Sequence, residues 1–319
     1  MALLDVEALS VDFHLPSGTL RAIEDVRLSV EAGEVLGVVG ETGSGKSVTV
    51  RSIMGLLPAP GRVAAGRILF DGADLVQLSQ RRMRQVRAVG ISFVAQNPFG
   101  ALNPVLSVGR QFRNLVRAHE RASNQEIHER SLAALASVQI DDRERVLAGY
   151  AHELSGGMAQ RVVIAMALML NPSVVIADEP TTALDLTTQR QILDLVRQLV
   201  VQDRRAMILV THDMGVVANY CDSMAVMYAG RVVECGATAA VLRSPTHQYT
   251  KALLDSVPRR GRETTGIPGS APSLANRPGG CSFAPRCAAA TQVCTDSVPP
   301  VQRRADGREF ACHHPVGAQ

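Results

Sequence analysis

Three glycines, a lysine and a hydroxyl stand at polyphosphate-binding spacing in Gly40-Glu41-Thr42-Gly43-Ser44-Gly45-Lys46-Ser47. Glycine leaves backbone N–H groups free to turn inward around phosphate oxygens, and the lysine adds a point charge for the β and γ phosphates. Ser47 suits a Mg²⁺ shell, and Thr49, on the helix that should follow, completes the candidate ATP-binding set. A second constellation is Val174-Val175-Ile176-Ala177-Asp178-Glu179-Pro180, an apolar run that ends in two acids. If the run is a strand, its carboxyl end presents both acids beside a nucleotide, Asp178 toward Mg²⁺ and Glu179 toward the attacking water. A solvated acidic turn is the alternative, but it gives no reason for a buried strand before it or a phosphate loop elsewhere in the chain.

Such groups need a scaffold that sets strand ends and helix starts side by side. Residues 1 to about 235 alternate short apolar runs with helical periodicity. Buried strands are predicted at Val35–Val39, Ile91–Val94, Val174–Ala177 and Met207–Val210, as in a parallel sheet, with closing strands at Met224–Val226 and Arg231–Glu234. Helices are predicted over 46–57 and, with a polar side, over 107–138. From Ser244 the texture changes: nine of the sixteen prolines fall between Pro245 and Pro315, and 258–280 is a Pro/Gly/Ser/Arg-rich linker. No internal repeat is visible. The simplest division is an ATPase module over 1–243, with a helical part at about 97–172, and a small C-terminal module over 244–319.

Composition narrows the class. The chain has 319 residues, 46% hydrophobic and 20% charged, which argues against wholesale disorder. Aromatics are 3% with no Trp, so no stacking platform for single-stranded nucleic acid is evident, and a net charge of +3 is too mild to imply a polyanion-binding surface. The longest apolar run, Val162 to Leu170, is half of what a membrane span requires. The N-terminus carries early acids and no basic segment, so a cytosolic protein without signal peptide is expected.

Leu154-Ser155-Gly156-Gly157-Met158 opens a helix about twenty residues before Asp178. Ser155 suits an N-cap, and the two glycines expose the first N–H groups to an anion. This stretch is similar to the signature of the ABC-type ATPases. The resemblance implies a P-loop α/β fold with a RecA-like core, an antiparallel β subdomain and a helical subdomain. It also implies that the signature serves the ATP of an opposite subunit in a head-to-tail sandwich. Further positions match that family: Gln96 its Q-loop glutamine, with Mg²⁺ and the catalytic water in reach; Ala183-Leu184-Asp185 its D-loop; His212 its switch histidine. Phe13 is the candidate for stacking on adenine, against the plainer reading of a core phenylalanine.

The resemblance continues into one branch of the family. Asn97-Pro98-Phe99-Gly100-Ala101-Leu102-Asn103-Pro104, Met158 within the signature, Ser244 to Leu254, Ile267-Pro268-Gly269 and Gly280-Cys281 to Cys287 are similar to ATPases of oligopeptide and dipeptide importers. Gln248 and Ala159 depart from that branch, where Pro and a basic residue are commoner. The implied partners are two transmembrane permease subunits, a second, related ATPase subunit and, indirectly, an extracytoplasmic binding protein, at the cytoplasmic face of the membrane. Nucleic acid is not among them. The apolar residues Phe99, Leu102 and Val105 suit a short helix of a permease or local core. Substrate identity is not legible, and importers of nickel or other small solutes use similar ATPases. The rival classes lack support: chromosome-type ABC proteins carry a long coiled coil, absent here, and translation-type ones carry two cassettes.

Cys281, Cys287, Cys294 and Cys312 crowd into the last 39 residues, with five, six and seventeen residues between them. Zinc ribbons and knuckles favour pairs two to four apart, so a 4Fe–4S cluster is the first reading, with zinc, a disulfide or free thiols as alternatives. The importer resemblance also implies such a cluster in some members. The module has few large apolar side chains, and a small core gains from a staple. Hydrolysis is expected to be independent of the module, because the nucleotide motifs lie between Phe13 and His212. Cys221 and Cys235 read as small buried hydrophobes.

Overall fold

The computed structural model describes residues 2–181, 184–257 and 266–317. It divides into two compact units, Met1–Gln77 with Leu209–Gln319, and Leu78–Ile208.

The first unit begins with two long antiparallel strands, Leu4–Leu15 and Gly18–Val30, joined on the other edge by Gly61–Phe70 and Ala73–Asp74. Leu4, Val6, Leu9 and Val11 are buried. That set breaks the two-residue alternation once, and Ala8 absorbs the break with φ 49° where the register shifts between Val6 and Leu9. The same unit carries a parallel pair. Val35–Val39, buried at every residue, runs beside Ser223–Tyr228 in the register Leu36 to Ser223 through Val39 to Val226. Arg231–Ala237 continues antiparallel to Ser223–Tyr228, and Glu309–Phe310 pairs next, Glu234 opposite Phe310. The C-terminal segment after residue 243 is therefore joined to this unit by a β ladder.

The helix behind the phosphate loop spans Lys46–Ile53, shorter than the apolar spacing predicts. Gly55, at φ 59°, turns the chain left-handed, and Pro58 and Pro60 follow. Of the expected linker, 258–265 lies outside the described residues. The rest is tied down: Arg277 pairs with Glu24 at 2.7 Å and donates to the Arg21 carbonyl at 3.0 Å.

The second unit holds the parallel pair Ile91–Val94 and Val174–Asp178 and the helices Val108–His119, Asn124–Ser137, Arg143–Ala148, Gly156–Leu168 and Leu186–Gln202. The long helical stretch expected over 107–138 is two helices. Ser123 caps the second by accepting from the Glu126 N–H at 3.1 Å, and Glu120 to Ala122 form the break. Among the described residues no helix is long and apolar enough to cross a membrane.

Candidate functional site

In the first unit the phosphate loop follows Val39 directly. Gly40 has φ 158°, and a Cβ there would lie 2.1 Å from the Met227 carbonyl oxygen. Gly45, the N-cap of Lys46–Ile53, has φ 103°, and no side chain caps the helix. A helix start without a side-chain cap suits an anion that enters the loop. The Lys46 ammonium donates to the carbonyls of Gly40 at 2.7 Å and Glu41 at 2.9 Å, which folds the loop around its own cation. The Ser44 hydroxyl is buried without a hydrogen-bond partner. An orphaned hydroxyl, an uncapped helix start and a buried lysine in one loop fit a phosphate ligand. Ser47 is half-buried at the start of the helix. Thr49 points elsewhere: it is fully buried and its hydroxyl donates to the Gly45 carbonyl at 3.1 Å, so it supports the helix and does not face the cradle.

A cleft of about 340 Å³ adjoins the loop, lined by Leu20, Glu41, Thr42, Gly43, Ser44 and, from the expected linker, Ala271 to Ala275. Phe13 sits across the sheet from Leu20 and Gly61, with its ring over Gly61. His212 is exposed between Thr211, whose hydroxyl accepts from the Asp213 N–H at 3.0 Å, and the Asp213 cap of the helix Met214–Tyr220.

In the second unit the strand pairing does what the sequence requires of it. Val94 lies opposite Ala177, so Gln96 and Glu179 leave neighbouring parallel strands at the same end. The Gln96 amide donates to the Glu179 carboxylate at 3.0 Å. Asp178 is buried, whereas Glu179 is half-buried with a left-handed φ of 46°, an unfavourable conformation for a residue with a side chain. The signature helix starts nearby. Ser155 is exposed and its hydroxyl caps Gly156–Leu168 by accepting from the Met158 N–H at 3.3 Å. A Cβ on Gly157 would meet the Thr188 methyl at 3.0 Å, a tight approach, whereas one on Gly156 would meet Leu184 at 3.7 Å, an ordinary contact. Asp185 accepts from the N–H groups of Thr187 and Thr188 and from the Thr188 hydroxyl, which hold its carboxyl below the usual range. Ala183 lies outside the described residues.

One set of contacts was not legible in the sequence. Arg286, immediately before Cys287, reaches Glu41 of the phosphate loop with both prongs, at 2.8 and 3.1 Å, and donates to the Tyr228 hydroxyl at 3.2 Å. The Glu41 N–H donates to the Tyr249 hydroxyl at 3.0 Å. Tyr249 is set by the helix Gln248–Asp255, which His247 caps by accepting from the Tyr249 N–H at 2.9 Å. Burial pushes the His247 imidazole down to about 4, which keeps that nitrogen an acceptor. Phe283 packs on both tyrosines, with ring centres 5.3 and 5.4 Å away. The groups that touch the phosphate loop are therefore not confined to residues between Phe13 and His212. These partners lie 208 and 245 positions away in sequence, and no local spacing points to them.

The four clustered cysteines are all free. The Cys281 N–H donates to the Cys294 carbonyl at 2.7 Å. Burial pushes the Cys281, Cys287 and Cys312 thiols up, and neighbouring sulfurs add to it: Cys312 and Cys294 act on Cys281 and Cys287, and Cys294 acts on Cys312. Backbone N–H groups point back at three sulfurs, from Phe283 and Ala284 to Cys281, from Ala289 to Cys287, and from Gln248 and His314 to Cys312. Among the described residues no three His, Cys, Asp or Glu side chains are gathered closely enough to hold a single metal ion. Cys221 is buried, and burial pushes the Cys235 thiol up to about 11.

Comparison with known proteins agrees with this geometry. The ABC transporter family model matches residues 23–182, and the model of the oligopeptide/dipeptide transporter C-terminal region matches 233–294. The oligopeptide transport ATP-binding protein OppD of Salmonella typhimurium is 44% identical, over 98% of this chain and 94% of its own length. The dipeptide transport ATP-binding protein DppD of Escherichia coli is 42% identical, over 99% of this chain and 98% of its own. A solved ATP-binding cassette, dimeric and bound to ADP and Pi in a post-hydrolysis state, superposes with a TM-score of 0.66 at 27% identity, over 74% of this chain and 98% of its own. A chain with this phosphate loop, this pair of strand-end residues and full-length likeness of this order belongs to the ABC transporter family, as an ATP-binding subunit of its oligopeptide/dipeptide branch.

Proposed function

We propose that the chain hydrolyses ATP in a head-to-tail pair with a related ATP-binding subunit, and that closure and release of the pair drive peptide uptake through two membrane permease subunits. A binding protein outside the membrane would deliver the peptide, and the ATPase would work at the cytoplasmic face. The observation that carries the reading is the Gln96–Glu179 hydrogen bond at the ends of two parallel strands. It joins Glu179, which we take to orient water, to the loop that follows Gln96, the natural transmitter of nucleotide state. ATP-dependent uptake of a labelled peptide by vesicles carrying the purified complex tests it; uptake of another solute class alone would reject the peptide assignment.

The roles follow from the residues. Gly40, Thr42, Gly43, Ser44 and Gly45 offer the backbone cradle, and Lys46 is the point charge on the β and γ phosphates. Ser47, Asp178 and Gln96 would hold Mg²⁺, which neutralises phosphate charge when bound. Glu179 orients the water, His212 faces the γ phosphate and Phe13 stacks on adenine. Ser155, Gly156, Gly157 and Met158 offer the solvent-facing helix start to the partner's ATP, with Leu184 and Asp185 beside it.

Of the three apolar residues after Gln96, Phe99 is 44% and Val105 is 78% exposed, whereas Leu102 is buried. The first two are proposed to receive the permease and the third to close the local core. Exchanging Val105 and Phe99 for Glu is expected to abolish co-purification with the permeases and leave the ATP turnover of the isolated subunit unchanged. Retained co-purification would reject the docking surface.

The cysteine segment is proposed to hold a 4Fe–4S cluster through Cys281, Cys287, Cys294 and Cys312. Support comes from the Cys281, Cys287 and Cys312 sulfurs, each of which feels Cys294 and accepts from a backbone N–H, a pattern that suits thiolates each on its own iron. Bound, the cluster would staple a segment with little apolar core. Anaerobically purified protein is expected to be brown, with about four iron and four sulfide per chain. Cys287→Ser should bleach it and loosen residues after about 266 toward protease. Stoichiometric zinc, or a metal-free and fully protease-resistant segment, would reject the cluster.

A further inference from the structure

We propose that Arg286, presented by the cysteine-bearing turn, positions the phosphate loop by holding the Glu41 carboxylate away from the nucleotide's phosphates. The inference rests on the ATP-binding role of this loop. Glu41 stands inside the cradle, between Gly40 and Thr42, and a carboxylate there opposes the polyanion the loop must accept. Arg286 answers that charge with both prongs. Its side chain is 6% exposed, and its remaining donors are used as well: Nε gives to the Pro268 carbonyl at 2.8 Å, and Nη1 gives to the Tyr228 hydroxyl besides Glu41. A planar fork fixed at three places holds a carboxylate in one orientation, which a lysine does not. The backbone of the same residue is held too, since the Glu41 N–H is taken by Tyr249 and its carbonyl by Lys46. Clamp and cation thus meet on one residue: its carboxylate faces Arg286, and its carbonyl steadies the ammonium that serves the phosphates. Arg286 is not a catalytic residue; it acts through Glu41.

The test is the MgATP affinity of the full chain, measured by titration with a fluorescent ATP analogue. Binding by the wild type and its loss in Lys46→Ala check the loop itself; failure there would count against the ATP-binding role and not against the clamp. Arg286→Ala is expected to bind about tenfold more weakly, as a released carboxylate repels the phosphates. Adding Glu41→Gln to it should restore most of the affinity, because no charge is left to hold back. Arg286→Lys should fall between wild type and Arg286→Ala, and should Arg286→Ala fail to fold, the Lys variant with and without Glu41→Gln makes the same comparison. Wild-type affinity in the single Arg286 variant overturns the proposal. So does a double variant no better than the single one, since a merely structural role is not rescued by removing a charge.

Discussion

Glu179→Gln is expected to keep MgATP binding and lower hydrolysis by about two to four orders of magnitude, the usual contribution of a positioned acid–base group. The substitution is nearly isosteric, and the Gln96 amide at 3.0 Å still finds an oxygen acceptor on residue 179. What is lost is the carboxylate proposed to orient and polarise water. The left-handed backbone at φ 46° sets that carboxylate at the strand end, so the variant changes chemistry without moving the group. Because binding outlasts hydrolysis, the pair of subunits should accumulate closed, as a slowly dissociating, ATP-dependent species in gel filtration. Near-normal turnover in a complex whose partner site has been inactivated would show that Glu179 does not serve the water.

The second large effect is expected at Ser155. Arg there should leave nucleotide binding at the chain's own loop close to wild type and abolish ATP-driven pairing. Ser155 is exposed, and losing its cap on the Met158 N–H costs about 1 kcal/mol, too little to unfold the unit. The arginine's bulk instead fills the place where the helix start is proposed to meet a partner's phosphate. Ser155→Asp separates the two effects: aspartate caps as well as serine but repels phosphate, so it too should prevent pairing. Pairing is read in the Glu179→Gln background, where the closed species persists. An Asp variant that pairs like its parent would sink the shared-site model.

The parts of the fold that the sequence announces are those whose physics is local. Val35–Val39 and Val174–Asp178 read as strands because a strand covered on both faces is apolar throughout. The phosphate loop is legible because its glycines answer a backbone demand within eight residues. The helix after it runs past its true end in the periodic pattern, since Leu56 and Leu57 keep the spacing while Gly55 ends the helix. The break before Asn124 was announced by Ser123 and Glu126 but hidden by apolar spacing that runs through it. Gln302–Arg303, two exposed residues, forms a strand only because Glu309–Phe310 is there to pair with. Arg286 and Tyr249 were illegible for the deepest reason. Their partner is Glu41, and a pairing across more than 200 positions leaves no period or motif in a single chain.

The first unit is assembled from segments on either side of the second, and this sets an order of events on the ribosome. Val35–Val39 meets its register partner Ser223–Tyr228, and that strand's hairpin partner Arg231–Ala237 meets Glu309–Phe310, only after the whole of the second unit has been made. The contiguous unit Leu78–Ile208 has all of its own strands and helices available well before then. While the second unit is being made, the nascent chain thus carries an apolar strand beside its phosphate loop without its Ser223–Tyr228 partner, an edge open to wrong pairing.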